Sequence, residues 1–84
     1  MFLINIVILS GTYKGFDDAG LLLLEISINN SINLLKINIS KILKKRFLEY
    51  INNNTKIAVK GTVSLNKNNE VVIVANKIFF LGAN

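Results

Sequence analysis

The order of sequence patterns between residues 33 and 82 constrains the fold more than any other feature of this chain. A stretch that alternates apolar and polar residues is followed by one amphipathic helix, an asparagine-rich turn and two further alternating stretches. The connections between them are only a few residues long, so the strands must pack around a single helix that precedes the fourth strand. With 84 residues, the chain is expected to form one domain.

The helix is recognised by a change of hydrophobic period after residue 39. Apolar and aromatic residues then recur at a spacing that places them on one helical face: Leu43, Phe47, Tyr50 and Ile51. Ser40 is suited to be the N-cap, because its hydroxyl can accept a hydrogen bond from a free amide of the first turn. The asparagines at 52–54 are expected to end the helix, since asparagine tolerates the left-handed conformation.

Five stretches have the pattern of strands. We predict a first strand at 2–9 that is ended by Ser10 and Gly11, then a turn region at 12–20, and further strands at 21–28, 34–39, 57–65 and 71–81. The last strand contains Ala75-Asn76-Lys77, which indicates a bend or a bulge. This order, with the helix between strands three and four, predicts an all-β fold: a five-stranded OB barrel spanning residues 1–84.

The first strand differs from the others because both of its faces are apolar. A barrel strand needs only one buried face, and large exposed apolar patches are rare on soluble monomers. We therefore expect a homo-oligomer, either a dimer or a tetramer, whose interface covers the second face. This interface is predicted to contain Phe2, Ile4, Ile6 and Ile8 from the first strand and Phe79 from the last.

Composition argues against several classes of site. Cysteine and histidine are absent, which removes disulfides, thiol chemistry, imidazole catalysis and the common zinc sites. The adjacent carboxylates Asp17 and Asp18 lie in a glycine-containing turn and are interpreted as turn residues. We therefore expect no enzyme activity, no catalytic residue, no metal site and no cofactor.

Charge and hydropathy indicate the surroundings of the chain. Ten lysines and arginines against five aspartates and glutamates give a net charge of +5, which weakly favours polyanionic partners. No apolar run approaches the ~20 residues that a membrane helix needs, and the N-terminal run lacks the basic start and the cleavage site of a signal peptide. We expect a soluble, cytoplasmic protein without a membrane partner.

Four segments of the chain resemble the bacterial single-stranded DNA-binding protein (SSB) family. They are Asn5-Ile6-Val7-Ile8-Leu9-Ser10-Gly11, then Lys41 with Leu48-Glu49-Tyr50-Ile51, then Thr55-Lys56-Ile57-Ala58-Val59-Lys60-Gly61-Thr62-Val63, and last Val72-Ile73-Val74-Ala75-Asn76-Lys77-Ile78-Phe79-Phe80-Leu81-Gly82. These segments occur in the same order and at similar spacing in the family, and the resemblance covers most of the chain. The resemblance implies an OB fold, binding of single-stranded DNA without strong sequence preference, and homo-oligomers built partly through the first strands.

The chain departs from this family at positions that stack bases. It has Leu34 and Ser40 where the family carries aromatic side chains, although the basic position between them is kept as Lys36. The loop between strands four and five is shortened to residues 66–69, and we expect no acidic tail of the kind that recruits replication and repair proteins. The chain therefore resembles a reduced, tail-less member of the family, or its primosomal relative PriB.

The candidate binding residues face outward on strands two and three or lie on nearby strands and loops, where OB barrels bind single strands with cations and flat side chains. They are Tyr13, Lys14, Phe16, Ser27, Leu34, Lys36, Asn38, Lys60 and Lys67. Tyr13 and Phe16 have a second interpretation, in which they plug the barrel end or lie in a dimer contact. Phe80 is expected in the core, and a solvated helix face is expected for the remaining cations Lys41, Lys44, Lys45 and Arg46.

Together these features predict largely sequence-independent binding of single-stranded DNA in replication or repair, with RNA as an alternative ligand. Two further functions stay open. One is a PriB-like primosome accessory, and the other is a protein-interaction or assembly module with little affinity for nucleic acid. The high apolar content, 51% of the residues, and the missing aromatic side chains at Leu34 and Ser40 favour the interaction module.

Overall fold

The structure, a computed structural model, describes residues 5–48 and 51–82. Within these residues the elements are β1 (Val7–Phe16), β2 (Leu22–Ile28), β3 (Ser31–Asn38), α1 (Lys41–Leu48), β4 (Lys56–Leu65) and β5 (Val71–Gly82). The strands close into a barrel in the order β1-β2-β3-β5-β4, in which β3 and β5 are parallel and the other neighbours antiparallel. The predicted five-stranded OB barrel, with its helix between β3 and β4, is confirmed.

The first strand does not end where the sequence predicted. Ser10 and Gly11 lie inside β1, paired with β4, and the strand continues through the predicted turn region to Phe16. Gly11 does not form a turn. It is required because no side chain fits at this position: a Cβ would collide with the carbonyl oxygen of Glu25 on β2. The predicted start of this strand, at residues 2–4, lies outside the described residues.

A bulge in β1 decides which of its side chains face the barrel interior. Tyr13 pairs with Leu24 and Phe16 pairs with Leu22, so three steps along β1 match two steps along β2. Gly15 accommodates the extra residue with a φ of 97°, a conformation that glycine adopts without strain. Tyr13 and Phe16 consequently both point inward, which regular alternation does not allow for residues three apart.

The β2–β3 hairpin is closed by the two-residue turn Asn29-Asn30. Both asparagines have positive φ angles, 51° and 66°, as a type I′ turn requires, and Ile28 pairs directly with Ser31. β3 therefore begins at Ser31 rather than at the predicted residue 34. The longer hairpin extends the outer surface that β2 and β3 share.

β5 contains the irregularity predicted at residues 75–77. Lys60 and Gly61 are consecutive on β4, but their partners on β5 are Lys77 and Ala75, which leaves Asn76 as a bulge. Gly61 lies so close to β5 that a Cβ would collide with the main chain of that strand. The bulge therefore depends on a glycine at this position of β4.

The core is one cluster of apolar side chains inside the barrel. Its fully buried members are Leu22, Leu24, Ile37, Ile57 and Val59. Tyr13, Ile39, Phe47 and Ala75 complete the buried cluster. Burial of one large apolar side chain contributes about 1.5–3 kcal/mol, so this cluster is the main source of stability.

α1 places the ring of Phe47 over one end of the barrel. Phe47 is buried, and its ring meets the ring of Tyr13 edge-on at a centroid distance of 4.8 Å. The predicted N-cap is confirmed, because Ser40 Oγ accepts a hydrogen bond of 3.1 Å from the Leu43 amide. Tyr50, predicted on the same helix face, lies outside the described residues.

Within the described chain, no helix is long and apolar enough to cross a bilayer.

Phe80 is not the core residue that the sequence predicted. It lies opposite Ile57, on the inner side of β5, but 52% of the residue stays exposed. Phe80 lies at the end of the barrel, where its ring stacks on the ring of Phe47 with a centroid distance of 6.0 Å and an interplanar angle of 24°. One face of the ring is covered by α1, and the rest of the residue remains in solvent.

Candidate nucleic-acid interface

The outer side chains of β1, β2 and β3 form one continuous surface, hereafter the β1–β2–β3 face. The strand register places these residues on it: Thr12, Leu23, Glu25, Ser27, Ile32, Leu34 and Lys36. Lys14, whose Nζ lies 4.0 Å from Oε2 of Glu25, and Asn38, two residues beyond Lys36 on β3, belong to it as well. Leu34 lies beside Glu25, and Lys36 lies beside Leu23. Four predicted binding residues are exposed here, namely Ser27, Leu34, Lys36 and Asn38.

Lys36 is paired with a carboxylate. Its Nζ lies 3.3 Å from Oδ2 of Asp17, a residue of the loop between β1 and β2. The other oxygen of Asp17, Oδ1, accepts hydrogen bonds from the backbone amides of Ala19 and Leu21, both at 2.9 Å. The Leu21 hydrogen bond is the largest of the contacts that lower the pKa of Asp17, and Lys36 adds to it against the opposing effect of burial. Asp17 is thus a turn residue, as predicted, and also the partner of Lys36.

Lys14 is engaged in a similar way. Its Nζ donates a hydrogen bond of 2.6 Å to Oδ1 of Asn54 and lies 4.0 Å from Oε2 of Glu25. Both lysines of the β1–β2–β3 face therefore have a carboxylate partner. Neither pair could be predicted from local patterns, because Glu25 and Asp17 lie on a different strand or loop from the lysines that they contact.

A cleft opens between β3 and β5 at the edge of this face. The two strands pair at only two positions within the described chain and then separate. The resulting cleft has a volume of about 640 Å³, and its lining includes Leu21, Leu34, Lys36, Asn38, Glu70 and Val71. Sequence reasoning found its β3 side but missed the β5 side, because no local pattern shows where two parallel strands diverge.

Tyr13 and Phe16, predicted to stack bases, are turned away from this face. Tyr13 is only 4% exposed, and burial raises the pKa of its hydroxyl. Phe16 packs edge-on against Tyr13 and Phe47 at centroid distances of 5.8 and 6.4 Å, and Lys44 Nζ lies 4.5 Å from its ring centroid. The burial of Tyr13 contradicts its stacking role, whereas these ring contacts leave Phe16 half-buried. The bulge at Gly15 is the reason, since it turns both rings inward.

Two further predicted cations occupy different places. Lys67 lies exposed in the loop between β4 and β5, next to Asn66, which lines the cleft. Lys60 pairs with Ile8 of β1 and Lys77 of β5. The structure therefore places Lys67 near the cleft but puts Lys60 on the other side of the barrel.

The outer side chains of β1, β4 and β5 form this second surface, hereafter the β1–β4–β5 face. Among the described residues it carries the exposed apolar side chains of Ile8, Phe79 and Leu81, and Ile6, just before β1, is exposed as well. Three of these, Ile6, Ile8 and Phe79, were predicted for an oligomer interface. Phe2 and Ile4, predicted for the same interface, lie outside the described residues.

The densest group of cations lies on α1. Lys41, Lys45 and Arg46 are exposed, whereas Lys44 reaches over the ring of Phe16. The exposure of the first three agrees with the predicted solvated helix face. They project from the barrel end rather than from the β1–β2–β3 face.

Solved structures share this fold, although no protein-family model and no curated protein sequence matches the chain. The mitochondrial single-stranded DNA-binding protein Rim1 of S. cerevisiae is similar with a TM-score of 0.70 and 17% identity, over 94% of both chains. The N-terminal domain of PriB from Thermoanaerobacter tencongensis, described as dimeric, has a TM-score of 0.67 and 18% identity, over 92% of this chain and 96% of that one. OBody NL8, solved bound to hen egg-white lysozyme, has a TM-score of 0.60 and 18% identity, over 94% and 97%. Such similarity shows the OB fold alone.

Proposed function

We propose that the chain binds single-stranded nucleic acid, DNA in the first place, across the β1–β2–β3 face and into the cleft beside β3. The cleft is the observation that carries the proposal, because Leu34, Lys36 and Asn38 line it together. OB barrels bind single strands between strands two and three and the loop that joins strands four and five, and the cleft lies among these elements. Rim1, which has the same fold, is by its name a single-stranded DNA-binding protein.

The lining suggests how a strand is held. Lys36 lines the cleft, and Lys67 follows Asn66, which also lines it; phosphate contacts are proposed for both lysines. Leu34 is 53% exposed where an aromatic ring would contribute about 1–3 kcal/mol per stacked base. An aliphatic contact contributes less, so we expect micromolar affinity at low salt. Phosphate contacts and apolar contacts with base faces carry little sequence information, hence the preference for sequence is weak.

The functional unit is proposed to be a homo-oligomer that works in DNA replication or repair. Ile8 and its apolar neighbours on the β1–β4–β5 face need a cover, and a second copy supplies one. Since this face and the cleft lie on different sides of the barrel, a dimer formed through it leaves the cleft open. The PriB domain with the same fold is described as dimeric.

Binding rather than catalysis also suits the side chains at the cleft. The charged and amide side chains that line it are Lys36, Asn38, Asn66 and Glu70. They do not include a nucleophile with a general base beside it. Within the described residues, no group of three or more histidine, cysteine, aspartate or glutamate side chains could hold a metal ion. We therefore assign no reaction to the cleft.

Fluorescence anisotropy of a labelled oligo-dT of about 35 nucleotides tests the proposal. The affinity of the protein for the oligonucleotide should fall as salt rises. A plot of the logarithm of the association constant against the logarithm of the salt concentration should have a slope of about −0.7 per phosphate contacted. Lys36→Glu should weaken binding about tenfold or more. The matched variant Lys77→Glu, which makes the same charge change on the β1–β4–β5 face, should weaken it only about twofold, because salt screens distant charges.

Two results would contradict this assignment. Absence of binding by the folded protein at low salt would remove the strand-binding function. Equal losses in Lys36→Glu and Lys77→Glu would show that strands are attracted by net charge and that the β1–β2–β3 face is not the site. A parallel titration with oligo-U compares RNA with DNA as the ligand.

A protein-interaction or assembly module is the second candidate, and the exposed apolar residues of the two hairpins favour it. Ile28 and Ile32 lie at the end of the β2–β3 hairpin, and Leu65 and Val71 lie at the end of the β4–β5 hairpin, all of them exposed. OBody NL8, which shares the fold, is solved bound to a protein. A PriB-like primosome accessory would combine both kinds of contact. Apolar protein contacts should persist at moderate salt, whereas strand binding should not.

A further inference from the structure

We propose that Asp17 and Glu25 compete with the phosphates of a bound strand for Lys36 and Lys14, and so weaken binding on the β1–β2–β3 face. This inference rests on the proposed function and deepens it. The face carries its own anions beside its cations, at 3.3 and 4.0 Å, and a strand must displace them. A strand bound in this way is released more easily than a strand held by unpaired lysines.

Asp17 is the stronger competitor because its carboxylate is fixed in place. Oδ1 is held by the amides of Ala19 and Leu21, and only 17% of the side chain is exposed. Lys36, by contrast, has a side chain that is 61% exposed. A phosphate can form an ion pair with Lys36 only when the ammonium group leaves Asp17 or contacts both anions. In either case the phosphate comes close to a fixed negative charge, which repels it.

Glu25 acts on Lys14 more weakly. Their charged atoms are 4.0 Å apart, and about a third of each side chain is exposed, so solvent and salt screen the pair. Lys14 Nζ also donates a hydrogen bond to Asn54, which a phosphate would have to replace. The two ion pairs leave the centre of the face without net charge, although the whole chain carries +5.

The opposite role for Asp17 has an opposite consequence. A carboxylate that orients Lys36 toward the ligand would strengthen binding, and its removal would weaken binding. A carboxylate that competes for Lys36 weakens binding, and its removal tightens it. The sign of the change in affinity therefore separates the two roles.

Asp17→Asn is the variant that tests the competition. It removes the charge but keeps an amide oxygen that can accept the hydrogen bonds from Ala19 and Leu21. The matched control is Asp18→Asn, the same change in net charge at the next residue, which is exposed and lies outside both ion pairs. With oligo-dT at low salt, Asp17→Asn should bind about fivefold more tightly, equivalent to about 1 kcal/mol, and Asp18→Asn less than about twofold.

Lys36→Gln, introduced into wild type and into Asp17→Asn, locates the effect. Competition for Lys36 predicts that Asp17→Asn tightens binding by clearly less once the lysine is gone, because only direct repulsion between the Asp17 carboxylate and the phosphate then remains. Equal tightening with and without the lysine would overturn the competition. Circular dichroism shows whether each variant is folded. If Asp17→Asn does not fold, Glu25→Gln, combined with Lys14→Gln in the same cycle, gives the answer for the second pair.

The outcomes for this inference and for the proposed function differ. Wild-type binding together with equal affinities of Asp17→Asn and Asp18→Asn, or with weaker binding by Asp17→Asn, overturns the competition and leaves the proposed function standing. A lack of oligo-dT binding at low salt by every folded variant overturns the proposed function and the competition together.

Discussion

The two outer faces of the barrel arrange their charges differently. On the β1–β2–β3 face, Lys14 and Lys36 each lie within 4.0 Å of a carboxylate. On the β1–β4–β5 face, Lys60 and Lys77 lie opposite each other in neighbouring strands, beside exposed apolar side chains such as Ile8. Both ion pairs of the described chain thus belong to the first face, whereas the exposed apolar residues Ile8, Phe79 and Leu81 belong to the second.

This difference indicates two kinds of contact. On the first face an anionic ligand can replace the carboxylate partner of a lysine, because this exchange requires little rearrangement of apolar side chains. An apolar surface with lysines between its members is suited to lasting burial, since long lysine stems cover apolar neighbours while their charges stay in water. β1 contributes to both faces, with Ile8 near its start on one and Lys14 near its end on the other.

The largest expected effect comes from adding a side chain at Gly61, beside the β5 bulge. Because this should unfold the barrel, both outer faces should be lost together. A valine at Gly61 would drive its side chain into the main chain of β5. We expect Gly61→Val to lose at least about 3 kcal/mol of the free energy of unfolding, or not to fold, because overpacking of this kind cannot relax without a shift of the strand. Urea denaturation followed by circular dichroism measures the loss.

Ser64→Val is the control for this variant, because Ser64 is exposed on the same strand. It should change the free energy of unfolding by less than about 0.5 kcal/mol. A Gly61→Val protein as stable as wild type would show that the register at Lys60 and Gly61 is wrong.

A substitution at Ile8 should separate the two faces. Ile8→Asp places a charge where 69% of an isoleucine is exposed on the β1–β4–β5 face. We expect the dissociation constant of the oligomer to rise about tenfold or more, because a charge buried in an apolar interface is costly, while binding of oligo-dT by each subunit is retained. Sedimentation velocity over a range of concentrations measures the first effect.

Ile42→Asp provides the comparison for assembly. Ile42 is 71% exposed, close to the value for Ile8, but it lies on α1 and belongs to neither face. It should leave the oligomer unchanged. A wild-type protein that stays monomeric, or an Ile8→Asp protein that assembles normally, would contradict the assignment of the β1–β4–β5 face.

The smallest effect is a dependence of stability on acid through Asp17. The pKa of Asp17 is lowered in the folded protein, first by the Leu21 amide, so its charged form favours folding. This contribution is complete above the ordinary value of 3.8 and is lost as the pH falls through the lowered pKa. The difference in melting temperature between wild type and Asp17→Asn should therefore be constant from about pH 5 to 8 and shrink below pH 3.8.

Thermal unfolding across this pH range, in buffers of equal ionic strength, measures the difference. Asp18→Asn again serves as the control, because Asp18 is exposed and has the same charge. A difference that does not change on acidification would mean that the carboxylate of Asp17 is not held by the amides of the loop.

Features of the fold that depend on neighbours in the sequence could be predicted. The Ser40 cap needs only the amide of Leu43, three residues away. The outward positions of Leu34, Lys36 and Asn38 follow from the alternation of a strand with one buried face. The bulge at Asn76 was indicated by a polar residue that interrupts an otherwise apolar strand.

Features that depend on distant partners could not be predicted. The predicted stacking role of Tyr13 and Phe16 rests on residues 12–20 having the composition of a loop. Nothing local in the sequence shows that a bulge at Gly15 turns both rings into the barrel. The pairing of Lys36 with Asp17 joins two elements that only the closed barrel brings together. The cleft itself depends on where two parallel strands separate.

Amide chemical-shift mapping of the isotope-labelled protein, titrated with oligo-dT, tests the central claim most directly because one spectrum reports on both faces. If the β1–β2–β3 face is the binding surface, the amides of Ser27, Leu34, Lys36, Asn38 and Lys67 shift as the oligonucleotide saturates the protein. Those of Lys60, Lys77 and Phe79 then stay in place. Shifts concentrated on the β1–β4–β5 face, with the cleft unchanged, would contradict the assignment of the binding surface.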